Sequence, residues 1–187
     1  MNNKKIFWTE ALKGGTVIGL VSVALSILMH LSIDMPALEK FLNIMSTVVT
    51  VLLLFGFTRR LAAQSNPMEG FSMGKAVGFV VAMMAIAGVL AGIYTSVMSN
   101  FFVHDEILAT VDEMMAAMQD TIPADSFEQT YNLMRSSFTN PFILTLSSVF
   151  GNVLLGLLCG VFVGFWTRRQ PNVFAPVEEE NNNSQQE

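Results

Sequence analysis

Charge is what this sequence has least of. Its 187 residues include 10 Lys and Arg and 15 Asp and Glu, 13% of the chain, where an average soluble domain carries roughly 25%. Hydrophobic residues reach 52% and the mean hydropathy is +0.50, which excludes a disordered chain and argues against an ordinary soluble enzyme. A net charge of −5 argues against nucleic acid as a partner, because phosphate binding needs a basic face. The single cysteine, Cys159, rules out an intrachain disulfide and any C-x-x-C motif. It lies among glycines in an apolar run, where a thiol is inert. H-E-x-x-H, P-loop and G-x-G-x-x-G patterns are missing, and His30 and His104 have no Cys or Ser partner at a recognised spacing. The sequence therefore points away from an enzyme and offers no catalytic, cofactor or metal site.

What is present is apolar sequence in long runs. Crossing a hydrocarbon core of about 30 Å takes about 20 mostly apolar helical residues. Four stretches meet this: Gly14 to Ile33, Phe41 to Phe57, Ala76 to Met98 and Phe142 to Trp166. The third has no charge in 23 residues, and 15 of the 25 residues in the fourth are Leu, Ile, Val or Phe. The first follows a basic start (Lys4, Lys5) but is too long for a signal-peptide core and runs into Asp34-Met35-Pro36 with no A-x-A-like site. It reads as a retained span. The expected fold is all-α, an integral-membrane four-helix bundle over residues 1–170, followed by a disordered tail over 171–187 that is too polar to fold.

Lys and Arg set the direction. Lys4, Lys5, Lys13, Arg59, Arg60, Lys75, Arg168 and Arg169 fall on one side of such a bundle, whereas only Lys40 and Arg135 fall on the other. Both termini and the loop from Thr58 to Lys75 are then cytoplasmic. The Asp34–Lys40 turn and the segment from Ser99 to Asn140 face outward. That outer segment is too long for a plain connector. Ile107, Leu108, Val111, Met114, Met115, Met118 and Ile122 share an arc of about 120° on a helix, opposite Glu106, Asp112, Glu113 and Asp120. Pro123 ends this pattern. A second helix is expected from Ser126, with Ser126 as N-cap, Gln129 three positions on, and Phe127, Tyr131, Met134 and Phe138 on one stripe. The result is an outward-facing amphipathic hairpin over 105–138, with a kink or break near Asn140-Pro141 before the fourth span. Ser72 is the expected cap of the third helix, after a turn at Asn66-Pro67 and Glu69.

The spans contain no Asp, Glu, Lys or Arg, which argues against a proton-coupled transporter. His30 lies close enough to the end of its span to reach the interface. Asn152 and Thr50 are the candidates for an intramembrane polar contact, because an unpaired amide in hydrocarbon costs several kcal/mol. Thr47, Ser147 and Ser148 are further polar groups available to a neutral solute. Small residues recur at every fourth position: Gly15/Gly19, Gly74/Gly78, Gly88/Gly92 and the run Gly156, Gly160, Gly164. Such ridges let helix backbones approach closely, within one chain or between copies. Met114, Met115 and Met118, with His104 nearby, have the softness for Cu(I), yet methionines at helical spacing on an apolar stripe read as core filler.

Phe7-Trp8-Thr9-Glu10-Ala11 precede the first span, Arg59-Arg60 close the second, and Gly70-Phe71-Ser72-Met73-Gly74-Lys75-Ala76 open the third, with Ile93-Tyr94 near its end. Asp105-Glu106, Asn140-Pro141 and a glycine-rich fourth span closing on Arg168-Arg169 complete the order. In these features the chain resembles, over about residues 4 to 170, the domain-of-unknown-function 4199 family of small four-span membrane proteins of Bacteroidota. The resemblance implies a bacterial inner-membrane protein of unassigned activity and supplies no site residues. The lipid bilayer is the implied environment, with a membrane-protein partner or a second copy of the chain as the open partner classes. The sequence then favours a non-enzymatic accessory or scaffold protein; the alternative is a small oligomeric transporter or channel for an uncharged or weakly polar solute. A topology reporter fused at Ser126 is expected to report the outer side, and a cytoplasmic signal would overturn this orientation.

Overall fold

The computed structural model describes residues 3–32, 35–65, 70–118 and 123–171. Ile33 and Asp34, the expected turn at Asn66-Pro67 and Glu69, Ile122 of the expected amphipathic stripe with Asp120 opposite it, and the tail from Asn172 onward lie outside the described residues. Among those described the fold is helical throughout: α1 (Asn3–Leu31), α2 (Pro36–Gln64), α3 (Met73–Val97), a π-helical turn (Met98–Phe102), α4 (His104–Met118), α5 (Ala124–Thr139) and α6 (Pro141–Thr167). Helices α1, α2, α3 with its π turn, and α6 are each long and apolar enough to cross a membrane. They run beyond the four apolar stretches because a helix does not stop where its hydrocarbon-soluble part stops. The polar flanks Lys4–Lys13 and Arg59–Gln64 are helical too.

Helix α3 is the axis. Of its most apolar stretch 44% is buried, against 22%, 11% and 17% for α1, α2 and α6, so the other three arrange themselves around it. It packs most closely on α6 and then α1, while α2 rests on α1 and α6. Glycines make the α3–α6 seam. A Cβ placed on Gly88 would lie 2.8 Å from Val149 Cα, and one on Gly92 would lie 2.7 Å from Thr145 Cα. Further along, α6 supplies the small residues: Gly156 faces Met84, Gly160 faces Val77, and Gly164 faces Met73 and Ala76. Each helix thus gives up side chains where the other keeps them. Gly15 and Gly19 of α1 similarly meet Met83, Ile86, Ala87 and Leu90 of α3. Gly74 and Gly78, read in sequence as one more ridge, have open space around them. Helix α6 reaches that end of α3 through Met73, Ala76 and Val77, which turns Gly74 and Gly78 away from the contact.

The buried core, including Ala11, Ile18, Leu54, Leu61, Phe71, Phe79, Val80 and Val163, lies in the half of the bundle nearest both chain ends. Phe7 stacks edge-on against Phe79 at 5.4 Å between centroids. At this end Phe71 and Arg169 exchange two backbone hydrogen bonds of 3.0 Å, an isolated antiparallel bridge tying the start of α3 to the exit of α6. Gly70 makes the bridge possible. Its φ is +66°, which disfavours any residue with a Cβ, and a Cβ there would approach Arg169 O to 2.7 Å. Ser72 then caps α3 by accepting from Lys75 N at 3.3 Å, as expected.

The segment between α3 and α6 forms two helices, with one correction to the expected boundaries. Helix α5 starts at Ala124 rather than after Ser126. Pro123 already holds the chain in register, and its carbonyl accepts from Ser126 N at 2.9 Å, so Ser126 sits inside the first turn. Val111 and Met115 of the α4 stripe are buried, whereas Met114 and Met118 are 42% and 38% exposed. Of the three methionines only Met115 is therefore core filler. Tyr131 Oη donates to Asp112 Oδ1 at 2.9 Å and joins α5 to α4. That hydrogen bond, then burial and the charge of Asp112, push the phenol above its ordinary value. Asn140 breaks the chain before α6: its side chain accepts from Phe142 N at 2.9 Å and Ile143 N at 3.4 Å, with Pro141 in the first turn.

The seam makes a comparison of two glycines informative. Gly88→Val should destabilise the purified protein by about 1–3 kcal/mol through overpacking. Gly78→Val, which points into open space, should leave the thermal melting temperature nearly unchanged. Equal effects would mean that the seam is not the closest contact of the bundle.

Candidate functional site

Polar groups in a chain this apolar mark the places where chemistry is possible, and they gather in four regions. The first lies inside the α3–α6 seam. Ser96, buried one turn after Gly92, places its hydroxyl 2.8 Å from Gly92 O, 3.0 Å from Pro141 O and 3.3 Å from Thr145 Oγ1. Asn100 in the π turn donates its side-chain amide to Ser96 O at 2.9 Å. One hydroxyl thus crosses between two spans at the level where Gly92 brings the backbones together. Asn152 faces the same seam near Gly88, but its amide donates to Ser148 O of its own helix at 2.9 Å. The cross-helix contact thus belongs to Ser96 and Thr145. Thr50 lies on α2, outside the seam, and is half-buried. Gly88, Gly92, Gly156, Gly160 and Gly164 all lie in the seam itself.

The second region is a stripe along α2 in steps of three and four: Asn43, Thr47, Thr50, Leu54, Thr58, Leu61. Its last three members are buried, at 0%, 0% and 6% exposure. Asn43 and Thr47 are exposed and Thr50 is half-buried. Thr47 and Thr58 return their hydroxyls to carbonyls one turn back, at 3.2 and 2.7 Å. The face that α2 buries toward the chain ends is therefore both uncovered and polar toward the α1–α2 turn.

At that turn lies the third region, a groove of about 320 Å³ between the end of α1, the start of α2, and α3 with its π turn. Ser26, His30, Glu39, Tyr94, Thr95 and Ser99 supply its polar lining and Met29, Met98 and Val103 its apolar part. The π turn widens the helix here, closing with Val103 N donating to Met98 O at 3.0 Å. Such local widening recurs at functional sites. The groove can accept and donate hydrogen bonds and holds one carboxylate. A nucleophile needs a base within hydrogen-bond reach, and among the described residues no hydrogen bond joins His30 to a hydroxyl or to Glu39.

Opposite, at the end carrying both termini, Glu10 is only 7% exposed. Lys13 Nζ lies 3.4 Å from its Oε1 and Arg60 Nε 3.7 Å from its Oε2, a link from α1 to α2. Counting the first span from Gly14 passes over this residue. Its place in Phe7-Trp8-Thr9-Glu10-Ala11 marks it in the sequence, and the ion pairs are foreshadowed by the spacing of Glu10 and Lys13 at i and i+3.

The family of proteins described as "Protein of unknown function (DUF4199)" matches the chain over residues 13–169, and the chain belongs to it. No curated protein and no protein of solved structure matches.

Ser96 gives this region its test. Ser96→Ala should lower stability by about 1 kcal/mol, the scale of one interhelical hydrogen bond in a membrane protein. Thermal melting of the detergent-purified variant reads the change. No change would show that the hydroxyl serves only its own helix.

Proposed function

We propose that this chain is a multi-pass inner-membrane protein with both termini in the cytoplasm and α4–α5 outside, acting as a non-enzymatic accessory or scaffold protein. The observation that carries this reading is the backbone-close α3–α6 seam. With glycine facing side chains along its length, the seam leaves no room between these helices for a polar path. A pore needs polar residues converging on one axis. The α2 stripe instead turns Asn43 and Thr47 outward on an uncovered face. Thr47 satisfies its hydroxyl on Asn43 O of its own helix, but the Asn43 amide at such a surface is costly unless another helix meets it, which favours a partner span laid along α2. The excess of Lys and Arg near the chain ends and the α2–α3 loop supports the orientation.

Purification from native membranes in mild detergent, with mass determination of the intact particle, tests this. A stoichiometric second protein is expected, lost on Thr47→Trp while the melting temperature is retained. A partner-free monomer that passes solutes across liposomes would overturn the reading in favour of transport.

A further inference from the structure

The groove at the α1–α2 turn has a chemistry that the scaffold reading does not use. Its polar lining holds one carboxylate, Glu39, four hydroxyls, and the imidazole of His30, with no Lys or Arg among the lining residues. A bare anion has no counter-charge there. Helix α1 ends at Leu31, and the negative end of its macrodipole favours positive charge beside it. Among the described residues no ion pair engages Glu39, whether with His30 or with the adjacent Lys40. A volume of about 320 Å³ is at the small end of ligand sites, enough for a compact polar head. An ammonium group carries three N–H donors, and Glu39 with the hydroxyls of Ser26, Tyr94, Thr95 and Ser99 offers more than three acceptors.

We propose that this groove binds a primary ammonium group, with Glu39 as its counter-ion. The hydroxyls complete the ammonium's hydrogen bonds, and Met29 and Met98 line the apolar part of the groove beside it. The next residues along the two helices, Leu28, Leu31, Leu38 and Phe41, are exposed apolar side chains. They suit the chains of an aminophospholipid whose head occupies the groove, and a free small amine has the same head chemistry. A trimethylated ammonium lacks all three N–H donors and an alcohol head lacks the charge, so both should bind less well.

The purified full chain in detergent, titrated calorimetrically with short-chain phosphatidylethanolamine, phosphatidylcholine and phosphatidylglycerol, and separately with ethanolamine, provides the test. The ethanolamine lipid is expected to bind about tenfold more tightly than the other two lipids, the worth of a charged hydrogen bond. Glu39→Gln should remove that preference, and Glu113→Gln, an exposed carboxylate on α4, should leave it intact. Saturation by ethanolamine alone would assign the site to a free amine, and saturation only by the lipid would assign it to a headgroup. Equal binding of the glycerol and ethanolamine lipids with no saturation by free ethanolamine, or no saturation by either amine, would overturn the proposal, whatever the variants do. So would an unchanged preference in Glu39→Gln. No partner protein enters these measurements, so their outcome is separate from that of the scaffold reading.

Discussion

In a hydrocarbon solvent two apolar helices gain nothing by hiding from lipid that is as apolar as they are. What holds them together is closeness: dispersion between backbones, and the few polar contacts that closeness permits. The α3–α6 seam is where this chain meets that constraint. Five glycines, shared unequally between the two helices, remove the side chains that would keep the backbones apart. Ser96 can reach across to Pro141 O and Thr145 Oγ1 because Gly92 has admitted Thr145 against its own Cα. Helix α1 repeats the device against another side of α3 through Gly15 and Gly19. Helix α2 has no such ridge, its one glycine, Gly56, facing open space, and it is the least buried of the four.

The difference between the two halves of the bundle follows. Toward the chain ends, large residues such as Phe79, Leu54 and Ile18 fill the space between helices, and Phe71 closes it from below. Toward the α1–α2 turn, small polar residues stand where large apolar ones would be needed to continue that packing. The same stripe on α2 passes from Leu61 and Leu54 to Thr47 and Asn43. A face that is dry and closed at one end is polar and uncovered at the other, and the groove with Glu39 and His30 lies at the uncovered end.

The helices and the small-residue ridges were legible in the sequence because both depend on local pattern. An apolar run of sufficient length has one outcome in lipid, and Asn140-Pro141 and Ser72 carry their caps in their own side chains. What was not legible depends on which helices become neighbours. Ser96 looks like any hydroxyl in an apolar run, and only the placement of Pro141 beside it makes it a cross-link. Glu39 reads as a charge at a helix start until α1 and the π turn are set around it. Glu10 was hidden by counting the span from its apolar core. Gly74 and Gly78 show the converse, a ridge with the right spacing and no helix to use it. Ser126 has the side chain of a cap, but Pro123, earlier in the chain, decides where α5 begins.

The bridge between Phe71 and Arg169 has a consequence for which positions can vary. Two backbone hydrogen bonds clasp the exit of α6 to the approach to α3, and because backbone groups make both of them, the clasp asks nothing of the side chains at 71 and 169. What it cannot do without is the glycine at 70, where φ is +66° and Arg169 O lies too close for a Cβ.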